Sequence, residues 1–173
     1  MKNIPSVRQR RSIRLQAYDY SQAGAYFVTV CSHHHQCIFG EIRTDVCATP
    51  QMQLNSSGKI LQSLWDDLAK HYLNLELDAF VIMPNHIHGI IVMHEMSQKG
   101  AASSAPTLGQ IMRRYKSSST VMINRYLQRQ GIPVWQRNYW EHIIRHEAEL
   151  NALREYIQNN PEQWALDKLY AAI

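Results

Sequence analysis

The sequence predicts an α+β domain built on one antiparallel sheet. Segments rich in β-branched and aromatic residues are interspersed with segments of helical periodicity. Strands and helices mix without repeats and without the regular strand–helix–strand alternation that indicates a parallel sheet. A length of 173 residues and a hydrophobic content of 45% suit a single domain with one core.

The first half of the chain is expected to supply most of the sheet. Residues 25–31 (AYFVTVC) are typical of a central strand, and a looser hairpin-like stretch follows from Cys37 to Leu54. Asn55 or Ser56 can cap a helix, in which apolar residues recur at helical spacing. Residues 78–83 and 86–93 are apolar runs on either side of Pro84-Asn85, which indicates two antiparallel strands joined by a tight turn.

The second half is expected to contain two helices and a strand. Residues 95–106 are small and polar and predict a linker. Thr107 can cap a helix that continues through Ile111 toward Tyr126, before Gly131-Ile132-Pro133. A short strand around 135–144 and a helix from about 147 to 158 follow, with Asn160-Pro161 as the stop signal.

Basic residues are concentrated in two blocks on a chain of net charge +4. The first block precedes the first acidic residue, Asp19, and comprises Lys2, Arg8, Arg10, Arg11 and Arg14. The second lies between residues 110 and 146, where Glu141 is the one acid, and comprises Arg113, Arg114, Lys116, Arg125, Arg129, Arg137 and Arg145. Such blocks favour a nucleic-acid partner, although a solvated helix face and a flexible arm give the same pattern. We expect residues 1–20 to form a basic N-terminal arm and residues 21–173 a single domain.

The composition also predicts where the protein works. Cys31, Cys37 and Cys47 are an odd number without a disulfide-scaffold spacing, which indicates free thiols in a reducing compartment. No apolar run approaches the roughly 20 residues that cross a bilayer, and no hydrophobic segment follows the N-terminus. We therefore expect a cytoplasmic protein without a membrane partner.

His86-Ile87-His88 is the sharpest chemical signal. In a strand, residues i and i+2 point to the same face, so both imidazoles can converge on one ion. The alternative is a pair of histidines on a solvated strand face. A second group, Cys31-Ser-His33-His34-His35-Gln-Cys37, lacks the paired spacing of a zinc site, and we expect structural or incidental roles there.

Tyr115 lies among cations in the sequence Arg113-Arg114-Tyr115-Lys116. A phenol has a pKa near 10, so a nucleophilic tyrosine needs nearby positive charge or a metal-polarised phosphate. The same residue continues an apolar stripe with Leu108 and Ile111 at i, i+3 and i+7, which predicts core packing instead. The helix alone leaves both interpretations open.

Several segments together resemble the single-tyrosine HUH transposases, and among these the REP-associated tyrosine transposases of bacteria. They cover about residues 11–164 in the family's order: Tyr26-Phe27-Val28-Thr29, Met83-Pro84-Asn85-His86-Ile87-His88-Gly89, Tyr115-Lys116-Ser117, Val134-Trp135-Gln136-Arg137-Asn138-Tyr139 and Arg154-Glu155-Tyr156-Ile157-Gln158-Asn159-Asn160-Pro161.

The resemblance implies a ferredoxin-like antiparallel sheet with helices packed on one face. It implies His86 and His88 as ligands of Mg²⁺ or Mn²⁺ and Tyr115 as the nucleophile. The implied reaction cleaves and rejoins single-stranded DNA near a hairpin through a 5′-phosphotyrosine, in a nucleoid-associated protein that is a monomer or homodimer. The basic residues expected to contact DNA are Arg10, Arg11, Arg14, Arg113, Arg114, Lys116 and Arg137.

The sequence departs from the family at one position. The family commonly supplies a third metal ligand, an amide or carboxylate, about one helical turn after the tyrosine. Counted from Tyr115, that position is Ser119. Serine is a poor metal ligand, so we assign Ser119 as the third ligand only provisionally. The departure keeps a second hypothesis open: a non-catalytic module that binds DNA hairpins through a degenerate HUH site. A histidine-triad nucleotide hydrolase is set aside because position 90 is isoleucine.

Overall fold

A computed structural model describes residues 19–44, 49–95 and 106–170. The predicted basic arm, including Arg10, Arg11 and Arg14, lies outside these ranges apart from its last two residues. Cys47 and most of the predicted linker also lie outside them.

Four strands form the main sheet, in the order β4-β5-β1-β6 with every neighbouring pair antiparallel. Their bounds are β1 Gly24–Cys31, β4 Leu75–Ile82, β5 His86–Met93 and β6 Trp140–Ile144. A separate hairpin consists of β2 Gly40–Arg43 and β3 Gln51–Leu54. The α+β, ferredoxin-like prediction is confirmed by this sheet and by the order of the elements along the chain.

In the described part of the chain four α-helices accompany the strands: α1 Ser56–Asp66, α2 Leu68–His71, α3 Leu108–Tyr126 and α4 Glu147–Asn159. The predicted N-caps are present. Asn55 Oδ1 accepts from the Gly58 amide, and Thr107 and Gln110 form a capping box at the start of α3. The sixth strand is shorter than predicted, because Trp135 makes only an isolated bridge with Ser32 and the chain joins the sheet at Trp140.

The helices pack on both faces of the sheet, so the expectation of one helical face is wrong. On one face Ile87 and Ile91 of β5 pack with Leu61 and Trp65 of α1 and with the buried stripe of α3. On the other face Ile90 packs with Ile157 of α4. The alternation of side chains along β5 produces this division, since residues i and i+2 share a face.

Gly89 marks how closely α1 approaches the sheet. A Cβ at this position would lie 2.5 Å from the Trp65 ring, which is too close. The same ring stacks on Phe80, with ring centroids 4.2 Å apart. The absence of a side chain at Gly89 therefore lets the indole lie against β5. Within the described ranges, no helix is both long and apolar enough to cross a membrane.

Candidate active site

Strand β5 holds both imidazoles on the face that carries α4. His86 and His88 are 0% and 3% exposed, and their Nε2 atoms lie 3.0 Å apart. The convergence predicted from the His-x-His spacing is therefore present, and the pair is not on a solvated surface.

The Nδ1 atom of each imidazole has a hydrogen-bonding partner. Asn85 Oδ1 lies 2.8 Å from His86 Nδ1, and Asn85 Nδ2 donates elsewhere, so this Nδ1 carries the proton and His86 Nε2 is a bare acceptor. Thr29 Oγ1 lies 2.8 Å from His88 Nδ1. These contacts orient both Nε2 atoms toward a common point, the arrangement that metal-binding histidines require.

Burial keeps the two histidines neutral. Burial lowers the pKa of His86 to about 3, and the nearby His35 contributes a smaller part of this lowering. Burial likewise lowers the pKa of His88 to about 3, with a smaller lowering from His86. A neutral imidazole is the form that binds metal ions.

The Asp167 carboxylate approaches the histidine pair, and Asn160 lies beside Asp167, with its Nδ2 3.4 Å from Asp167 Oδ2. Asp167 is 6% exposed at its side chain, and its Oδ2 lies 4.0 Å from His86 Nε2. The donor atoms of His86, His88 and Asp167 all lie within 4.8 Å of one another, as in a group that can hold a metal ion. Asn160 is buried, and its Oδ1 has no hydrogen-bond partner among the described residues.

Tyr156 is the tyrosine that reaches the histidine pair. Its hydroxyl lies 3.3 Å from His88 Nε2, and its ring contacts the rings of His88 and Phe27. Leu150, Leu153 and Ile157 form the apolar stripe of α4, so Tyr156 lies at the border of that stripe and is 40% exposed. Burial and then Asp167 raise the pKa of Tyr156, while a hydrogen bond with Asn160 opposes the rise.

Tyr156 and His88 line a cleft of about 890 Å³. This volume is in the range of pockets that bind ligands. Trp140, which is 50% exposed, lies in the cleft wall. Other residues of the wall are Phe27, Thr29, Cys31, His88, Gln136, Asn138, Tyr139, Asn160, Asp167 and Lys168.

The structure corrects the expectation that Tyr115 is the nucleophile. Tyr115 is 1% exposed, and its hydroxyl donates to the Leu61 carbonyl at 3.2 Å. Its ring packs against Trp65 and Trp135 in the core on the α3 side of the sheet. Because His88 faces the opposite side of the sheet, the two residues cannot meet without unpacking the core, and the apolar-stripe alternative is the one that holds.

The provisional assignment of Ser119 as a metal ligand is corrected for the same reason. Ser119 is fully buried, donates to the Tyr115 carbonyl at 2.7 Å and accepts from Trp135 Nε1 at 2.8 Å. Its hydroxyl is part of the packing between α3 and the 134–139 connection. The residue one helical turn after Tyr156 is Asn160, an amide of the type that the family supplies.

The basic residues predicted to bind DNA lie in different environments. Arg113 and Arg114 are exposed on α3, the helix that packs on the face opposite the histidines. Lys116 is half-buried and donates to the carbonyls of the 136–138 connection, among them Gln136 at 2.7 Å and Asn138 at 3.0 Å. Arg137 is exposed between two residues of the cleft wall.

The Cys31–Cys37 cluster does not form a metal group in the described part of the chain. Residues His33–His35 form a 3-10 turn, and both cysteines are free thiols. His35 Nε2 contacts Gln136 Nε2 at 2.7 Å, and the His35 carbonyl accepts from Asn85 Nδ2. These contacts agree with the structural role expected for the cluster.

A comparison with known families covers the strand and the helix that carry these residues. The sequence model of the family described as "Transposase IS200 like" matches residues 19–160. The chain belongs to this transposase family. The match confirms the resemblance to single-tyrosine transposases and spans both His86–His88 and Tyr156–Asn160.

Individual relatives of this transposase include two proteins of Haemophilus influenzae. One is uncharacterised and is 39% identical over 95% of this chain and 94% of its own length. Another, 28% identical over 83% of this chain and 73% of its own length, carries a provisional name as a REP-associated tyrosine transposase. A solved structure of a REP-associated tyrosine transposase bound to a REP hairpin shares the fold, with a TM-score of 0.60, 18% identity and coverage of 90% of this chain and 76% of that one.

Sequence reasoning thus missed Tyr156, Asn160 and Asp167 as site residues. A usable signal was present in α4, where Tyr156 lies beside the stripe of Leu150, Leu153 and Ile157 rather than within it. Asp167 carries no comparable signal, because nothing in its local sequence predicts where the chain returns after α4.

Proposed function

We propose that this transposase cleaves and rejoins single-stranded DNA in a metal-dependent reaction with Tyr156 as the nucleophile. The observation that carries the proposal is the 3.3 Å separation between the Tyr156 hydroxyl and His88 Nε2, at the wall of an open cleft. A nucleophile must reach both its substrate and the group that activates the phosphate. Tyr156 meets both conditions, and Tyr115 meets neither.

The donor set fits a divalent metal ion. The Nε2 atoms of His86 and His88 lie 3.0 Å apart, and Asn160, whose buried Oδ1 has no hydrogen-bond partner among the described residues, lines the same cleft as His88. Asn160 follows Tyr156 by four residues and is the C-cap of α4, so the end of this helix presents the nucleophile and an oxygen ligand about one turn apart. Mg²⁺ and Mn²⁺ both accept oxygen ligands, and Mn²⁺ tolerates imidazole better. When bound, the ion supplies polarisation of the scissile phosphate.

The residues of the chain perform the strand transfer itself. The Tyr156 oxygen attacks phosphorus in line and loses its proton, and the 3′-oxygen of the broken phosphodiester leaves and gains one. The product is a 5′-phosphotyrosine and a free 3′-OH. Because one phosphodiester replaces another, a 3′-OH can attack the phosphotyrosine and rejoin the strand.

DNA next to a hairpin is the proposed substrate, since two of the relatives are named for REP elements and one is bound to a REP hairpin. Arg137 at the rim of the cleft can contact phosphates, and Arg10, Arg11, Arg14, Arg113, Arg114 and Lys116 remain proposed backbone contacts. Association with the nucleoid would follow from such binding. Tyr156 and both histidines come from one chain, so the chemistry does not require a second subunit.

The alternative of a non-catalytic DNA-binding module rested on Ser119 as an inadequate ligand. With Asn160 after Tyr156, that reason no longer applies. The two hypotheses still differ in one measurable product, the covalent adduct.

A matched pair of variants tests the proposal. Wild-type protein, Tyr156→Phe and Tyr115→Phe are incubated with Mn²⁺ and an end-labelled single strand that carries a hairpin, and adducts are separated under denaturing conditions. We expect adducts with wild type and Tyr115→Phe and none with Tyr156→Phe. An adduct that persists in Tyr156→Phe excludes this nucleophile, and tight binding by wild type without an adduct favours the binding module.

A further inference from the structure

The segment after α4, residues 161–170 (hereafter the C-terminal segment), folds back over His86. Trp164 is buried, with its ring centroid 6.0 Å from that of His86. The Leu169 carbonyl accepts from Asn85 Nδ2 at 2.7 Å. Asn85 therefore binds the C-terminal segment through its amide nitrogen while it orients the His86 ring through its amide oxygen.

These contacts aim the Asp167 carboxylate at the histidine pair. The Leu169 amide donates to Asp167 Oδ1 at 2.6 Å, which fixes the rotation of the carboxylate. The other oxygen, Oδ2, lies 3.4 Å from Asn160 Nδ2 and 4.0 Å from His86 Nε2.

Among the described residues, no lysine or arginine forms an ion pair with Asp167 in this arrangement. His86 Nε2 is a bare acceptor because its Nδ1 donates to Asn85. This Nε2 lies 3.0 Å from His88 Nε2 and 4.0 Å from Asp167 Oδ2, so two imidazole nitrogens and a nearly buried carboxylate converge on one place. A buried anion that faces another acceptor is costly unless a cation lies close to both. The ligand atoms of His86, His88 and Asp167 all lie within 4.8 Å of one another, close enough to bind one such cation together.

We infer that Asp167 is a ligand of the metal ion, and that ion binding fastens the C-terminal segment over the active site. The inference rests on the proposed function and extends its ligand set beyond the residue on α4. Two imidazoles alone favour softer ions, whereas a carboxylate oxygen makes the set suitable for Mg²⁺ or Mn²⁺. One carboxylate also leaves a net charge of +1 on a divalent centre, which matches the single negative charge of a phosphodiester.

The experiment measures metal binding directly, without reference to DNA cleavage. Full-length protein is stripped of metal with EDTA, exchanged into chelator-free buffer and titrated with Mn²⁺ by calorimetry, and the bound fraction is checked by electron paramagnetic resonance. We expect Asp167→Asn to weaken Mn²⁺ binding at least tenfold, and Asp167→Glu to weaken it less. Glu162→Gln, which removes an exposed carboxylate from the same segment, is the matched control and should bind as wild type does.

Hydrogen exchange tests the coupling. Mn²⁺ should slow exchange of the amides of residues 164–169 in wild type and in Glu162→Gln, but not in Asp167→Asn. Near-wild-type exchange in α1 and α3 of Asp167→Asn would show that the variant is folded; if that variant does not fold, the Asp167→Glu titration carries the test.

Separate outcomes overturn the inference and the proposed function. Mn²⁺ affinity of Asp167→Asn within twofold of wild type would overturn the assignment of Asp167 and leave the histidine site intact. Failure of wild type to bind millimolar Mn²⁺, together with adduct formation in EDTA, would overturn both the inference and the metal dependence of the proposed reaction. Tyr156→Phe should bind Mn²⁺ like wild type while forming no adduct, so loss of the nucleophile is distinguishable from loss of the ion.

Discussion

Thr29 and His88 face each other across β1 and β5, with the Thr29 hydroxyl 2.8 Å from His88 Nδ1. A hydroxyl can donate to this nitrogen or accept from it. In the metal-free protein His88 Nε2 can carry the proton and donate to the bare Nε2 of His86. Once Nε2 binds a cation, the proton must reside on Nδ1, and the Thr29 hydroxyl can accept it without any movement of the backbone.

Thr29→Val keeps the shape of the side chain and removes this partner. We expect Mn²⁺ affinity to fall by about 10- to 100-fold, the usual effect of losing a hydrogen-bond partner of a metal-binding histidine. Calorimetric titration measures the change, and Thr29→Ser should restore most of the affinity. Thr120→Val makes the same chemical change on α3, where the hydroxyl donates to the Lys116 carbonyl, and should leave Mn²⁺ binding unchanged. Equal affinity of Thr29→Val and wild type would contradict this role.

Tyr115→Phe is expected to affect stability rather than catalysis. The substitution removes one buried hydrogen bond to Leu61 and leaves the ring contacts with Trp65 and Trp135 in place. The free energy of unfolding should fall by about 1 kcal/mol, measured by urea denaturation. An unchanged unfolding free energy together with a lost adduct would instead return Tyr115 to the active site.

Gly89→Ala should destabilise the fold because the added Cβ would lie 2.5 Å from the Trp65 ring. Overpacking of this kind typically costs about 1–3 kcal/mol. Urea denaturation of the variant measures the loss, and Gly89→Ala combined with Trp65→Phe should recover part of it, since the smaller ring leaves room for the methyl group. A variant as stable as wild type would mean that the indole does not lie against β5.

Acid should destabilise the metal-free protein through the histidine pair. Burial lowers the pKa of both imidazoles from 6.5 to about 3, so below pH 6.5 the unfolded chain takes up protons that the folded protein does not. The stability that the neutral histidine pair contributes is fully present above pH 6.5 and is lost as the pH falls toward 3. Over that range the free energy of unfolding falls by up to about 2.7 kcal/mol per pH unit for the two groups together.

Urea denaturation in EDTA between pH 7 and 4 measures this slope. The His88→Gln variant retains one of the two titrating histidines. The pH dependence of its free energy of unfolding should therefore lose about half of the part that the two histidines contribute. Identical slopes for wild type and His88→Gln would show that His88 is not buried as a neutral imidazole.

Trp140→Ala should weaken the binding of unpaired DNA more than that of duplex DNA. The exposed indole on edge strand β6 stands in the cleft wall, with its ring held by Phe27 and His142. Stacking of a base on such a ring contributes about 1–3 kcal/mol, which corresponds to a loss of roughly 5- to 150-fold in affinity. Fluorescence anisotropy with labelled single strands measures the loss, and Trp140→Phe should retain much of the binding. Equal losses for single-stranded and duplex DNA would argue against stacking.

The sequence by itself determined the elements and the histidine pair, because both depend on local periodicity. Two-residue alternation in β5 places His86 and His88 on one face whatever the rest of the chain does. The caps at Asn55 and Thr107 and the turn at Pro84-Asn85 are likewise local signals, and the helices and strands begin close to where these signals predict.

Only the tertiary structure decided which tyrosine meets the histidines. Helix α3 carries Tyr115 to the face lined by Ile87 and Ile91, whereas α4 carries Tyr156 to the face of His86 and His88. The choice of face depends on how each helix packs against the whole sheet, and helical spacing around either tyrosine does not encode it. The approach of Asp167 to His86, across about 80 residues of chain, has the same origin: it is fixed by packing of Trp164 and by the bond from Asn85 to Leu169.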